Sequence, residues 1–465
     1  MFKFIHMSDV HLGCRRYNLD ERTKDFFRAW YDAINKHVIP NRVDFVLIAG
    51  DFFDRRNIDP QTMNHAMAGL QQLKDAGIPV VAIEGNHDRR DSVSPYSWMR
   101  SLSQAGLLKL LEPTADADSP IALVPWDEDE RAGSYVDIAG ARIFGTHWYG
   151  TTTNVAMSIL SDSVRRARAP ERFNILMLHT DVEGQLNRPN IPALSVEKLK
   201  ELRTLVDYVA LGHTHKRFEL DGWAFNPGSL EACTIDEYRE ERGLYLVEVD
   251  DEHRVNAQHI RDYTQRPFQR LWFDVSGATD AQAVHDGAIE VVRTQARRHA
   301  ADSDEPAPII ELSLRGHLGF KNSLLDLARL RDEARELTGA LHVMVRNQSV
   351  PVEYAVAAGL DADTSRVIRE RRIIEDLIVR DTRYRERARE MAELVLDAKH
   401  LALSDRPASD ILDLIEQKLP PSVHADEHTP QVSAAAADAH EELAPSSGAL
   451  QAIERNAVKA VMSDE

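Results

Sequence analysis

Cysteine is almost missing from this chain: Cys14 and Cys233 are the only two among 465 residues. Two thiols cannot build a disulfide framework, so a reducing, cytosolic setting is expected. Long apolar runs are also missing. None approaches the ~18–20 residues a membrane span needs, and a stretch such as Phe45–Ala49 reads as a buried strand. No cleavable leader is expected, because Lys3 precedes only a few apolar residues before a polar motif opens at Asp9. Positive charge is in deficit: 56 Lys and Arg stand against 75 Asp and Glu, a net −19. This excludes a histone-like protein held to nucleic acid by bulk charge, but not one with local positive charge or bound metal ions. A Gly-x-x-x-x-Gly-Lys loop is lacking, so no ATP hydrolysis is expected. What is left is an ordinary globular composition, 43% hydrophobic and 28% charged, with length for about two to four domains.

Up to about residue 265, short apolar runs alternate with helical stretches. Phe2–Met7, Asp44–Ala49, Val80–Ile83, Ile121–Val124, Ile143–Phe144, Asn174–Leu178, Val206–Leu211 and Leu244–Val249 read as strands, and Glu21–Val38 and Pro60–Ala76 as helices. Such alternation predicts an α/β domain with functional loops at the carboxyl ends of its strands. Residues 266–350 predict a small α+β domain: strands at Phe268–Val275, Ile309–Leu314 and Leu341–Val345, helices at Ala281–Ala296 and Ser323–Leu337. Residues 351–420 are expected to be mainly helical. Ile373, Ile374, Leu377 and Ile378 form one narrow apolar stripe there, and Met391, Leu394, Val395 and Ala398 another, each needing a partner surface. Residues 421–465 hold eight acidic and two basic residues and read as a disordered acidic tail, with one further helix expected at Ala449–Val461.

The chemistry follows the strands. Ser8-Asp9-Val10-His11, Gly50-Asp51-Phe52-Phe53-Asp54, Gly85-Asn86-His87-Asp88, His179 and Gly212-His213-Thr214-His215 each come directly after an apolar run. Adjacent strands would bring these carboxylates, imidazoles and one carboxamide to a single surface. Nitrogen and oxygen donors without thiolate suit Mn, Fe or Zn rather than Ca. Seven donors are too many for one ion and suit two that share a carboxylate. Any one of these elements alone, like His6, His37 or His65 elsewhere, would read as an ordinary core or surface residue; five in order do not.

These motifs resemble the calcineurin-like metallophosphoesterase superfamily. His11-Leu12-Gly13, Gly50 to Arg55, His179 with Val182-Glu183-Gly184, and Asn226-Pro227-Gly228-Ser229-Leu230-Glu231 are similar, more narrowly, to the SbcD nuclease subunit and its meiotic-recombination-eleven relatives. The resemblance is strong over 1–265, weaker beyond, and absent from the tail. It implies a four-layer αββα sandwich with a small capping domain for DNA recognition and C-terminal helices that bind an SMC-like ATPase of the SbcC kind. It also implies one metal on Asp9, His11 and His215, a second on Asn86, His179 and His213, and Asp51 bridging them, with Mn the expected ion. His87 would contact the scissile phosphate or protonate the leaving oxygen. Asp54 would be the orienting acid, where some relatives carry His. The activity implied is a 3′-to-5′ exonuclease and single-strand endonuclease acting at DNA ends in double-strand-break repair, as a homodimer.

Three Arg-Arg pairs, Arg15-Arg16, Arg55-Arg56 and Arg89-Arg90, directly follow metal motifs and are expected to ring the cleft and grip DNA phosphates. The competing expectation is that they pair with neighbours such as Asp54 or Asp88. Trp148-Tyr149 reads as packing or as a base-stacking element, and Cys14 as a small loop residue. Two other functions fit less of the sequence. A stand-alone phosphodiesterase or phosphatase for small nucleotides would share the metal motifs but leave the later domains and Arg pairs unexplained. A non-enzymatic scaffold would be expected to lack ligands.

Overall fold

The computed structural model describes residues 1–90, 94, 96–117, 119–186, 193–300, 303, 305–350, 366–379, 381, 383–404 and 408–418. The acidic tail and the helix expected at Ala449–Val461 lie outside the described residues. Two compact units are found, one spanning Met1–Arg266, the other beginning at Pro267.

The first unit holds twelve strands among its described residues: β1 Phe2–Met7, β2 Phe45–Ala49, β3 Val80–Ile83, β4 Lys109–Leu110, β5 Tyr135–Ile138, β6 Ala141–Phe144, β7 Phe173–His179, β8 Tyr208–Gly212, β9 Phe218–Leu220, β10 Ala224–Asn226, β11 Leu244–Val249 and β12 Val255–Ile260. They form two six-stranded sheets, in the orders β12-β11-β1-β2-β3-β4 and β5-β6-β7-β8-β10-β9. Within each sheet the central strands are parallel: β1 with β2, β2 with β3, β6 with β7 and β7 with β8. Their carboxyl ends therefore share an edge.

Three apolar layers hold the sheets and helices together. Phe4, Phe45, Leu47 and Val81 of the first sheet meet Ile143, Phe173, Ile175 and Tyr208 of the second. The outer face of the first sheet packs under helices Asp20–Ala33 and Pro60–Asp75 through Trp30, Ile34, Leu70 and Leu73. The outer face of the second packs under Thr153–Ala167 and Val196–Glu201 through Met157, Leu160, Val164 and Leu199. The result is the expected four-layer αββα sandwich. Helix Pro60–Asp75 shows why local sequence suffices in places. Asp59 caps it by accepting from the Thr62 backbone N–H at 2.7 Å, Pro60 occupies its first turn, and Gly77, at φ +72°, follows its end. Its Gly69 lets Trp30 approach so closely that a β-carbon there would lie 2.2 Å from the indole nitrogen.

Two expectations need correction. Ile121–Val124 is not a strand; Ala122 makes a single bridge to Thr114, and Ile121 is apolar because it is buried in the layer beside Met157. The first helix is not one α-helix to Val38, since Ile34–Val38 is a π-helical turn that delivers the chain to Pro40.

Among its described residues the second unit has three parallel strands, β13 Phe268–Asp274, β14 Ile309–Arg315 and β15 His342–Asn347, paired in that order and alternating with helices Ala281–Gln295 and Leu327–Thr338, an α/β rather than the expected α+β pattern. Ile310, Leu312 and Leu314 pack with Val284, Ile289, Val292 and Leu330. On the alternate positions of β14, buried Glu311 pairs with Arg270 at 2.7 Å and with Arg346 at 2.6 Å. Helices Arg366–Val379, Ala388–Leu403 and Ala408–Lys418 follow, consecutive ones packed together. Of the two apolar stripes, Met391 and Leu394 are buried, whereas Ile373, Leu377 and Val395 stay exposed. No helix among the described residues is long and apolar enough to cross a membrane.

Candidate metal centre

Each residue expected to hold metal lies at the carboxyl end of a parallel strand: Asp9 and His11 after β1, Asp51 after β2, Asn86 after β3, His179 ending β7, and His213 and His215 after β8. The loops after β1 and β2 prolong their strands' pairing. The backbone N–H groups of Asp9, His11 and Leu12 donate to the carbonyls of Gly50, Asp51 and Phe52 at 2.9–3.0 Å. Asp9, His11, Asp51 and His213 have φ of 52°, 48°, 51° and 87°, in the left-handed region that side chains disfavour. Folding thus spends strain to aim these four groups inward. Gly85 permits the approach of the third loop, since a β-carbon there would lie 2.1 Å from Asp51 Oδ1.

Two donor clusters result. In the first, His11 Nε2 and His215 Nε2 are 3.0 Å apart, His215 Nε2 is 3.8 Å from Asp9 Oδ1, and His11 Nε2 is 3.9 Å from Asp9 Oδ1 and from Asp51 Oδ2. In the second, His179 Nε2 lies 3.2 Å from Asp51 Oδ2, 3.2 Å from Asn86 Oδ1 and 3.3 Å from His213 Nδ1. Ligands bound at about 2.0–2.2 Å around one ion are spaced by about 3–4 Å, so each cluster fits a divalent cation. Asp51 Oδ2 faces both. The outward nitrogens agree: His179 Nδ1–H donates to the Ala49 carbonyl at 2.8 Å and His215 Nδ1–H to Glu237 at 3.0 Å, leaving each Nε2 lone pair pointing inward.

Electrostatics follow from packing such groups in a dry site. Burial and the neighbouring His215 lower the pKa of His11 well below the ordinary imidazole value. Burial opposes charge on Asp51 as well, but His179 and His87 outweigh it and hold the carboxyl well below its usual range. Burial would lower His179 too, yet Asp51 and Asp9 push it up to about 9, and Glu237 and Asp9 do the same for His215. Asp9 is raised by burial. Cations at the two positions would satisfy these carboxylates without protonated imidazoles.

His87 sits beside the clusters. Its backbone N–H donates to Asp51 Oδ1 at 2.9 Å, and its Nδ1–H donates to the Asp54 carbonyl oxygen at 2.7 Å. Against the cost of burial, Asp51 and Asp54 hold its pKa above the ordinary value. The Asp54 side chain itself stands 3.6 Å from His11 Nδ1 and 3.5 Å from Arg55 Nε. Asp54 thus orients His87 through its backbone, while its carboxylate addresses His11.

The Arg pairs divide. Arg15 is bound to Asp20 at 2.7 Å and Arg55 faces Asp54, as the pairing expectation has it. Arg89 lies over the Trp148 ring at 5.7 Å, and its pKa is lowered by burial and then by Arg56 and Arg90 nearby. Arg16 is partly buried, and Arg56 and Arg90 are exposed.

Several supporting residues escaped the sequence reading. Asp88 ties two loops together by accepting from the Phe52, Phe53 and Gly85 N–H groups. Asn226 donates to the carbonyls of Thr214 and Lys216, clamping the loop that carries His213 and His215. Glu231 accepts from the Arg266 and Ala232 N–H groups and lies near Arg22, so that part of the motif anchors the chain rather than the metals. Asp88, Asn226 and Glu231 stood inside motifs, but Glu237, the partner of His215, had no local signal.

Residues 2–217, which include all seven donors, match the family model of calcineurin-like phosphoesterases. Along most of its length the chain is similar to the DNA double-strand break repair protein Mre11 of Aeropyrum pernix, 25% identical over 370 residues, covering 77% of this chain and 82% of the relative. The same-named protein of Sulfolobus acidocaldarius is 26% identical over 351 residues, 71% and 80% respectively. That of Saccharolobus solfataricus is 30% identical over 259 residues, 53% and 60%. Divalent metal ions are what the family implies, and the donor clusters fit them. Fold, strand-end chemistry and sequence match together identify a calcineurin-like phosphoesterase domain, a metal-dependent phosphoesterase, in the first unit of this chain.

Proposed function

We propose that this chain is a DNA nuclease that hydrolyses phosphodiesters at DNA ends with two divalent ions, manganese foremost. Asp9, His11 and His215 would hold one, Asn86, His179 and His213 the other, and Asp51 both. The observation that carries this reading is the position of Asp51 Oδ2, 3.2 Å from His179 Nε2 and 3.9 Å from His11 Nε2, a carboxylate oxygen set between two nitrogen-rich clusters. What such ions supply when bound is neutralisation of the phosphate and a water acidic enough to attack at neutral pH. The chain's own groups do the rest. His87, fixed by its bonds to Asp51 and the Asp54 carbonyl, is placed to contact the scissile phosphate and give a proton to the leaving oxygen. Asp54 sets the orientation of His87 and faces His11. Of the six rim arginines, Arg15 and Arg55 face Asp20 and Asp54, so Arg16, Arg56, Arg89 and Arg90 would bring most of the positive charge to a −19 protein where a polyanion would enter.

The similarity to proteins named for double-strand break repair supports DNA over a small nucleotide as substrate. The same likeness supports 3′-to-5′ exonuclease and single-strand endonuclease activity, a homodimer, a cytoplasmic setting, and an SMC-like ATPase on the helices from Arg366–Val379 onward. The small parallel unit, with its boundary near residue 266, would serve as the DNA-recognition domain. The test is cleavage of end-labelled single- and double-stranded DNA with manganese by wild type, Asp51→Ala and His87→Ala. Shortened strands with wild type are expected, with losses of about 10²–10⁴-fold for His87→Ala and a larger loss for Asp51→Ala. Hydrolysis of a generic phosphodiester with DNA left intact would overturn DNA as the substrate.

A further inference from the structure

In the second donor cluster, His213 is the ring whose orientation still needs a cause. Its backbone stands at φ 87°, the most positive of the four strained donors, and its N–H donates to both oxygens of Asp9, at 3.1 and 3.0 Å. These bonds fix the backbone, not the imidazole. Nδ1 turns inward, 3.3 Å from His179 Nε2, and Nε2 turns outward, where it meets Asp181 Oδ2 at 3.7 Å. Both side chains are nearly dry, 10% and 7% exposed. The separation is longer than a hydrogen bond, but a carboxylate facing an imidazole N–H at that range, shielded from water, attracts it through space. The other oxygen of Asp181 is held in place, since the Thr214 hydroxyl donates to Oδ1 at 2.7 Å. The Asp181 main chain is anchored too, its carbonyl accepting from the Leu194 N–H at 2.9 Å. Asp181 lies two residues after His179 in the loop that leaves β7, and Thr214 lies between His213 and His215 in the loop that leaves β8. One buried side chain therefore joins the two loops that bring imidazoles to the second cluster.

Resting on the two-metal reading above, we infer that Asp181 is a positioning residue for the second metal position, acting through His213. With Nε2–H toward Asp181, the ring is kept in the tautomer whose Nδ1 lone pair faces inward, and the negative charge behind it makes that nitrogen a stronger donor. Thr214 keeps the carboxylate from turning away. His179 needs no such acid, because its Nδ1–H already donates to the Ala49 carbonyl at 2.8 Å. Asp181 thus does for His213 what Glu237 does for His215, and each cluster has one carboxylate behind an imidazole that serves the ring rather than the ion.

The experiment is calorimetric titration of the metal-free full chain with manganese, read beside electron paramagnetic resonance, for wild type, Asp181→Asn and Thr214→Val. Two manganese ions that share Asp51 couple their spins and lose the signal of isolated manganese, whereas an ion alone keeps it. Wild type is expected to bind two ions and to show the coupled spectrum. Asp181→Asn leaves an oxygen for the Thr214 hydroxyl but removes the charge. It should weaken the second binding step by about 10–100-fold, retain the first step, and show isolated manganese where wild type shows the coupled pair. Thr214→Val removes the latch but leaves the charge, and should weaken the second step less than Asp181→Asn does. An unchanged second step in Asp181→Asn, the loss of both steps together, or a larger loss in Thr214→Val would overturn this inference and leave the two-metal reading standing on the wild-type result. A wild type that fails to bind two coupled ions would overturn the two-metal reading itself.

Discussion

The two units of this protein are built from the same element, parallel strands joined by helices, yet the middle strand of the second and the strand ends of the first treat buried carboxylates differently. In the second unit the buried carboxylate of Glu311 lies in the middle strand with an arginine from each neighbour, Arg270 and Arg346, so its charge is answered within the sheet. In the first unit, Asp9 and Asp51 are buried among imidazoles that compete for the same space. Backbone conformation divides the same way. Among the described residues, every residue of the second unit with positive φ is a glycine, Gly277, Gly316 or Gly339, whereas the first unit has eleven non-glycine residues there, four of them the donors Asp9, His11, Asp51 and His213. Parallel architecture alone therefore does not make a site. Strain at the strand ends, and carboxylates crowded among imidazoles rather than braced by arginines, mark the site, an arrangement that a cation would complete.

The comparison is most easily broken at Glu311. Removing it strands two arginines, and losing one partner of a buried pair costs about 3–5 kcal/mol. Glu311→Ala should accordingly lower hydrogen-exchange protection across β13, β14 and β15, with that of the first unit unchanged. Equal loss in both units, or none, would mean that the charges in the second unit are not its internal brace.

Glu237 tests the opposite case, a charge that serves the cluster. Glu237→Gln keeps an acceptor for His215 Nδ1–H but removes the negative charge that raises the basicity of that ring. Affinity for the ion at the first position should fall by about 10–100-fold, measured by calorimetry, with a smaller loss of thermal stability without metal, because a Gln amide keeps one acceptor where the carboxylate serves both His215 and the Cys233 N–H. A large drop in melting temperature with unchanged metal affinity would make Glu237 a structural residue.

His6 sharpens the contrast inside the first unit, because it is a histidine at the same end of β1 that belongs to the core. Its Nδ1 accepts from the Tyr208 hydroxyl at 2.9 Å and its Nε2–H donates to the Leu211 carbonyl at 3.0 Å, joining the two sheets. Burial lowers its pKa to about 3. Since the folded value lies below the unfolded one of about 6.5, the unfolded chain binds the extra proton between them. Stability from this group is complete above about pH 6.5 and drains away as pH falls toward 3, by at most about 1.4 kcal/mol per pH unit. His6→Gln should flatten that acid limb in urea titrations at several pH values; an unaltered limb would assign it to other groups.

His6 and His11 also show what could be read in advance. The strands and donors were legible because each donor follows an apolar run directly, so one-dimensional order already encodes a shared edge. Helix Thr153–Ala167 was not, since Thr152 makes no side-chain cap to mark its start. β9, β10 and β12 were missed because two are only three residues long and the third, Val255–Ile260, alternates with polar residues on a solvated face. Glu237 was beyond reach for a different reason. Its relation to His215 is made by tertiary packing at a separation of 22 residues, where no period or spacing rule operates.

The smallest expected effect concerns the rim, where the sequence expectation of six equivalent arginines meets a structure that separates them. Arg15 is already neutralised by Asp20 and Arg55 faces Asp54, while Arg56 and Arg90 add to the positive potential felt by Arg89. If the rim grips DNA, each phosphate contact contributes about −0.9 to the slope of log affinity against log salt on duplex DNA. Replacing Arg55 and Arg56 together by Ala should reduce that slope by about 1 rather than by about 2, because Arg55 must trade one carboxylate for another anion. Fluorescence anisotropy across a salt series measures it. A reduction of about 2 would mean that the Asp54 contact yields to DNA without cost. An unchanged slope would remove this loop from the DNA path and leave Arg89, over the Trp148 ring, and the adjacent Arg90 as the place to look for it.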